Sequence, residues 1–129
     1  MQRIDISHNS RLMGPLPEFP INNTLEVMSL TNASFSGSIL ASIAYLNNLV
    51  ELDLSYNNFN GLIPTFHRSG VPNFASLDLS WNQLSGSILA SIANLSNLVK
   101  LDLTGNNFKG SIPLFHRSGV PNLALLICH

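Results

Sequence analysis

A repeat of 24 or 25 residues constrains the fold of this 129-residue chain more than any other feature of its sequence. The repeating units open at five apolar residues, Leu25, Leu49, Phe74, Leu98 and Leu123. A fixed period of about 20 to 50 residues is typical of a solenoid, in which each unit folds as one coil and stacks on the next. Residues 36–80 and 85–129 agree at 32 of 45 positions, which indicates a recent duplication of a two-unit block.

Each unit begins with a pattern that predicts a short β-strand. In the third unit, Leu52 and Leu54 alternate with polar neighbours, as residues do in a strand with one buried face. The same spacing occurs in four other units, at Ile4 and Ile6, Met28 and Leu30, Leu77 and Leu79, and Leu101 and Leu103. We expect these pairs to form one apolar column through the stack.

An asparagine follows the strand in most units, at the point where the chain must turn. A buried amide at this point can bond the backbone groups that a turn leaves unpaired. The sequence therefore predicts a ladder of turn-forming asparagines at Asn9, Asn57, Asn82 and Asn106. Ala33 interrupts this ladder in the second unit, and Leu12 lies one residue late after Asn9, which indicates an insertion in the first turn.

The combined pattern LxxLxLxxNxLSGxIP resembles the plant-specific class of leucine-rich repeats, and the resemblance covers essentially the whole chain. Five units carry the start of the GxIP segment, at Gly14 and Leu16, Gly37 and Ile39, Gly61 and Ile63, Gly86 and Ile88, and Gly110 and Ile112. Its proline is present as Pro17, Pro64 and Pro113, whereas Leu40 and Leu89 replace it in the other two units. The segment from Leu16 to Pro20 is similar to one in the ectodomains of plant receptor-like proteins.

The resemblance implies an α/β solenoid of leucine-rich repeats that forms a single domain over residues 1–129. Parallel strands are expected on its concave face, with short second strands and 3-10 or helical turns on the outer side. We expect units at 1–24, 25–48, 49–73, 74–97 and 98–122, and a partial sixth at 123–129. Family members protect both ends of the solenoid with cysteine-bearing caps. This chain shows neither cap, so we expect it to be a piece of a larger protein.

The function that the resemblance implies is recognition of a protein or peptide ligand, or of a co-receptor kinase, in plant defence or developmental signalling. The parent would be a glycoprotein at the extracellular face of the plasma membrane, although this chain contains neither a signal peptide nor a membrane span. Two alternatives are a secreted inhibitor of a cell-wall-degrading enzyme and a truncated gene copy without a function of its own. A formal net charge of -1 gives no attraction to nucleic acid.

Outward-facing residues of the strands are the candidates for ligand binding: Glu51, Asp53, Tyr56, Asp78, Trp81, Lys100 and Asp102. Tyr56 and Trp81 share a column on adjacent strands, and Gly105 leaves space beside them. Exposed aromatic side chains are enriched at interface hot spots, although these two could also serve only to cover the strand ends.

A second column is acidic and consists of Asp5, Asp53, Asp78 and Asp102. A spacing of about 5 Å also separates the two carboxylates of a retaining glycosidase, so an enzyme must be considered. An open sheet offers no pocket that excludes water, and we therefore expect no catalysis, no cofactor and no metal site here. Because Asp78 lies between two like charges, we expect its pKa to be raised.

Few other side chains could act in catalysis or bind a metal ion. His67 and His116 recur through the duplication and are expected to lie too far apart on the outer side to share a metal ion. Cys128 is expected to be buried, while the adjacent His129 faces outward, because successive strand residues point to opposite faces.

Three sequons would accept glycans in a secreted protein, at Asn22, Asn32 and Asn94. Asn22 and Asn94 are expected on the outer side of the solenoid. Asn32 is expected in the same column as Tyr56 and Trp81, where a glycan would stand beside the proposed aromatic contact.

Overall fold

The computed structural model describes residues 2–19, 24–39, 43, 46–65, 74–88, 92, 95, 97–110 and 124–126. These residues form a parallel solenoid in which every coil contributes one strand to a six-stranded sheet, which we call the concave sheet. Its strands, in spatial order, are β1 (Gln2–Asp5), β3 (Leu25–Ser29), β5 (Glu51–Asp53), β7 (Ser76–Asp78), β9 (Lys100–Asp102) and β11 (Ala124–Leu126). The predicted fold class is confirmed.

A second, five-stranded parallel sheet runs along the side of the stack. It consists of β2 (Met13–Gly14), β4 (Ser34–Gly37), β6 (Asn58–Gly61), β8 (Gln83–Ser87) and β10 (Asn107–Lys109). Ile43 and Ile92 lie in short 3-10 turns that lead back toward the concave sheet. One coil therefore consists of a concave strand, a turn, a second strand and a return segment.

The apolar core is a continuous column between the two sheets. Met28, Leu52, Leu77 and Leu101 are Cα partners across four neighbouring strands, and all are buried. Farther along each coil, Phe35 and Phe59 stack with their ring centroids 6.3 Å apart and their planes 2° from parallel. Burial of aliphatic and aromatic side chains contributes about 1.5–3 kcal/mol each, so this column is the main source of stability.

The asparagine ladder is confirmed at three of its four predicted positions. The Oδ1 atom of Asn82 accepts a hydrogen bond at 3.0 Å from the backbone N–H of Phe59 in the preceding coil. Its Nδ2 donates to the carbonyl oxygen of Leu54, also in the preceding coil, at 2.9 Å, and to two carbonyls of its own turn. Asn57 and Asn106 make the equivalent bonds, both to the preceding coil and to carbonyls of their own turns. Each turn is thus bonded to the coil before it.

The prediction for Asn9 is wrong, because its side chain is exposed. The ladder asparagines bond to a preceding coil, and among the described residues no coil lies on that side of Asn9. For the same reason Ile4 and Ile6, predicted to be buried, are 36 % and 38 % exposed.

The last strand of the concave sheet differs from the repeat alignment by one residue. The Cα partner of Leu101 is Leu125, whereas the duplication places Leu126 at this position. Among the described strands, β11 pairs only with β9, so its register is fixed from one side. No helix among the described residues is long and apolar enough to cross a bilayer.

Candidate ligand-binding surface

The aspartates of the concave sheet stand in register on neighbouring strands, as predicted. Asp53 on β5 is the Cα partner of Asp78 on β7, which is the partner of Asp102 on β9. We call these three residues the aspartate row. Asp5 lies in the same column on β1, but Ser29 on β3 separates it from Asp53.

Each aspartate also stabilises the turn that follows its strand. The Oδ1 atom of Asp53 accepts hydrogen bonds from the backbone N–H of Ser55 at 3.0 Å and from its hydroxyl at 2.6 Å. Asp78 makes the same two bonds with Ser80. All of these bonds use Oδ1, and they leave the second carboxylate oxygen of each residue without a bond to the turn.

The pKa values of Asp5 and Asp78 are shifted in opposite directions. Burial raises the pKa of the Asp78 carboxyl above its ordinary value of 3.8, the hydrogen bonds from Ser80 oppose that shift, and Asp53 and Asp102 add to it by like-charge repulsion. The predicted direction is therefore confirmed, with burial as the larger cause. The hydrogen bonds from Ser7 lower the pKa of Asp5, which is fully exposed to solvent.

Two hydroxyl side chains that follow the aspartates are buried. Ser55 and Ser80 are 4 % and 3 % exposed. Small hydroxyl groups can be buried when they are hydrogen-bonded, and both donate to an aspartate. Thr31 extends this contact to the neighbouring coil, because its Oγ1 lies 2.6 Å from the Oγ of Ser55. These hydroxyls form the floor of the surface and hold the aspartates above it.

Tyr56 and Trp81 project from the edge of the concave sheet and form an aromatic ledge. They are 55 % and 50 % exposed, and their ring centroids lie 5.9 Å apart with planes 20° from parallel. Both residues have a left-handed backbone, with φ of 55° and 57°. This conformation costs about 1–2 kcal/mol for a residue with a Cβ, and glycine adopts it freely. Gly105 occupies the next position of the column with φ 73°.

His8 and Asn32 continue the same column on the other side of the ledge, and both also have a left-handed backbone. The Nδ2 atom of Asn32 lies 3.2 Å from Nδ1 of His8. Asn32 is exposed and stands in the column predicted for it, next to Tyr56. Its glycosylation stays a prediction, and the other two sequon asparagines, Asn22 and Asn94, lie outside the described residues.

A hollow of about 170 Å³ lies in the concave sheet beside the ledge. Its lining includes the predicted residues Glu51, Asp53, Asp78 and Lys100. The lining also includes Arg3, Val27 and Ser29, which the sequence interpretation did not select. Of these three residues, Val27 is buried. The replacement of the repeated aspartate by Ser29 is the sequence signal that could have located this hollow.

The acidic side chains of the described surface are not grouped as metal ligands are. They form an open row on a sheet, and among the described residues no three His, Cys, Asp or Glu side chains are grouped to hold a metal ion. His67, His116, Cys128 and His129 lie outside the described residues. What the surface can do is present carboxylates, two aromatic rings and a shallow hollow to a partner.

A stack of parallel coils with an open polar sheet places the chain in the class of solenoid repeat proteins. The sequence model of the Leucine Rich Repeat family matches residues 48–69, 73–95 and 97–117, just over half of the chain. The chain therefore belongs to the leucine-rich-repeat family.

The proteins similar to this chain include receptor-like proteins of a plant. Receptor-like protein 6 of Arabidopsis thaliana is 44 % identical over 54 residues, which are 42 % of this chain and 5 % of that protein. The matched segment spans about one twentieth of the length of this relative.

Two solved structures of plant receptor kinases show the same coil. The leucine-rich-repeat ectodomain of GASSHO1/SCHENGEN3 from Arabidopsis thaliana, in complex with CASPARIAN STRIP INTEGRITY FACTOR 2, superposes with a TM-score of 0.81 at 34 % identity, over 99 % of this chain and 15 % of that one. The Arabidopsis receptor kinase HAESA, in complex with the peptide hormone IDA and the co-receptor SERK1, gives a TM-score of 0.78 at 35 % identity, over 87 % and 19 % of the two chains.

Proposed function

We propose that this chain is a ligand-recognising part of a plant cell-surface receptor-like protein, which binds a protein or peptide partner on the concave sheet and the aromatic ledge. The ligand, or a co-receptor kinase that joins it, is contacted outside the cell, in defence or developmental signalling. Glu51, Asp53, Asp78, Lys100 and Asp102 supply the polar contacts, and Tyr56 and Trp81 supply the apolar one.

The observation that carries this proposal is the left-handed backbone of the two exposed aromatic residues. At positions 56 and 81 glycine would fold without strain, as it does at position 105. The stack instead carries Tyr56 and Trp81, whose rings remain about half exposed. Strained, exposed residues of this size point to a role outside the fold itself.

The similar proteins support the same proposal. HAESA and GASSHO1/SCHENGEN3 are receptor kinases solved with bound partners, and the HAESA complex contains both a peptide hormone and a co-receptor. Tyrosine and tryptophan provide large contact areas with few rotatable bonds, which is why they dominate interface hot spots. A partner that lies along the concave sheet would meet the ledge at one border and the aspartate row at its centre.

The proposal is tested by panning a phage-displayed library of random peptides on the whole chain and measuring the affinity of the selected peptides. Trp81→Ala should weaken them about tenfold or more, since hot-spot truncations remove about 1–2 kcal/mol or more. Leu62→Ala is the matched control, because Leu62 is similarly exposed (59 %) but lies outside the concave sheet. Equal effects of the two substitutions, or failure to select any peptide, would reject the proposal.

A further inference from the structure

The hollow in the concave sheet exists because two short side chains stand where the neighbouring strands carry long or charged ones. Val27 on β3 lies between its Cα partners Arg3 and Glu51. Ser29 lies between Asp5 and Asp53 in the same way. Around Val27 and Ser29 the walls of the hollow are thus the side chains of β1 and β5, and from there the hollow extends along the sheet to Asp78 and Lys100 on β7 and β9.

The charge of the lining is predominantly negative. It contains four carboxylates, Asp5, Glu51, Asp53 and Asp78, against two cations, Arg3 and Lys100, which leaves two negative charges. The described side chains therefore leave carboxylates unpaired around the hollow. Asp5 and Asp53 also accept their turn bonds at Oδ1 only, so a second oxygen of each can receive a donor from above.

The distance between Asp5 and Asp53 determines the size of the cationic group that can bind both carboxylates. Strands lie about 4.8 Å apart, so Asp5 and Asp53, with β3 between them, are separated by roughly 9–10 Å. A single metal ion needs its oxygen ligands at about 2.0–2.6 Å and cannot bridge this distance. A planar guanidinium has five donors directed outward, and placed above Ser29 it can reach toward both walls. An alkyl stem would rest on Val27.

We infer that the hollow above Ser29 receives a positively charged side chain, preferentially arginine, of the peptide that binds the concave sheet. Asp5 and Asp53 bind the guanidinium from opposite walls, and Glu51 adds a further negative charge on β5, opposite Arg3 across Val27. Lysine binds less tightly because its compact ammonium group cannot hydrogen-bond two carboxylates this far apart. This inference rests on the proposed function, since it specifies which residue of the peptide the sheet recognises.

The test is a titration of the whole isotopically labelled chain with acetyl-Gly-Gly-Arg-Gly-Gly-amide, followed by NMR. Backbone amide shifts should concentrate at Val27, Ser29 and Asp53 and saturate. The same peptide with citrulline in place of arginine keeps the shape and loses the charge. It should bind about tenfold more weakly or worse, because hydrogen bonds to charged groups are roughly twice as strong as neutral ones. Binding should also weaken as salt is added.

Two variants make the test specific to the hollow. Glu51→Gln removes one wall charge and should weaken the arginine peptide severalfold, whereas Glu18→Gln, an exposed carboxylate outside the concave sheet, should not change it. Ser29→Lys places an ammonium in the hollow and should abolish the binding. Thermal unfolding of each variant confirms that the stack is intact.

Equal affinity for the arginine and citrulline peptides, or shifts located away from Ser29, would overturn the inference. The proposed function has a separate readout, because the library peptides and the Trp81→Ala variant report on the ledge. Loss of arginine dependence with the Trp81 effect retained would reject only the inference. Loss of the Trp81 effect with arginine binding retained would reject the role of the ledge.

Discussion

The indole ring of Trp81 lies directly over Gly105 of the next coil, so closely that a Cβ atom on Gly105 would come within 2.5 Å of the ring. The other side of the indole stacks on Tyr56. Trp81 is therefore held between two neighbours, and the part of it that a partner can touch is the edge of the ring. The absence of a side chain at position 105 is what allows this arrangement.

Gly105→Ala should displace the indole and break its stack with Tyr56. The matched control is Gly110→Ala, since Gly110 has a similar left-handed backbone but no atom within 4 Å of a built Cβ. Both variants lose about 1–2 kcal/mol of stability through the backbone. Gly105→Ala should lose roughly 0.5–1.5 kcal/mol more, the value of an aromatic pair. Trp81 is the single tryptophan, so its emission spectrum reports the displacement. An unchanged spectrum would contradict the prediction.

Asn82→Ala should destabilise the stack strongly. The substitution leaves the buried N–H of Phe59 without its acceptor and the carbonyl of Leu54 without this donor, and each unsatisfied buried group costs about 1–3 kcal/mol. Urea unfolding should show a loss of at least about 2 kcal/mol. Gln83→Ala, at the exposed neighbouring position, should stay within about 0.5 kcal/mol. Similar losses in the two variants would show that the ladder bonds are not stabilising.

Asp78→Asn should stabilise the chain at neutral pH. The amide oxygen can keep the bonds from Ser80, and the variant removes a charge that stands opposite Asp53 and Asp102. Like charges directly opposite each other in a sheet destabilise by roughly 0.2–1 kcal/mol, which is the expected gain.

The gain should depend on pH in a direction that the raised pKa of Asp78 fixes. A raised pKa means that the folded chain holds this proton more tightly than the unfolded chain does, so its stabilising effect is complete below 3.8 and disappears as pH rises through the folded-state value. The advantage of Asp78→Asn should therefore shrink as the pH falls through this window. Denaturant midpoints measured for both proteins between neutral and acidic pH provide the check. A constant difference across that range would refute it.

The sequence predicts most of this fold because the spacing of apolar residues and asparagines determines which side chains of one coil point inward. The alternation of Leu52 and Leu54, and the asparagine that follows, determine which groups point inward whatever the rest of the chain does. The exceptions arise where burial depends on a neighbouring coil. Ile4 and Asn9 follow the pattern but lie on the first described coil, with no partner beyond them.

The surface is less predictable from the sequence than the fold. Ser55 has the alternation of an outward residue, yet its hydrogen bond to Asp53 allows it to be buried. The hollow above Ser29 forms where β3 carries a short side chain and the neighbouring strands β1 and β5 carry aspartates. Spacing within one unit cannot reveal such a feature, because it emerges only when three strands are placed side by side.

The bonds of the asparagine ladder make the junctions before the coils of Asn57, Asn82 and Asn106 equivalent. Asn82 binds the groups of the coil before it in the same way that Asn106 does, at Leu79 and Leu84. A copied unit therefore brings its own asparagine and offers the backbone N–H and carbonyl that the next asparagine bonds. Inserting such a unit in frame leaves the existing junctions unchanged. Such a stack can lengthen or shorten by whole units without creating a new kind of junction, and the agreement between residues 36–80 and 85–129 indicates one such duplication.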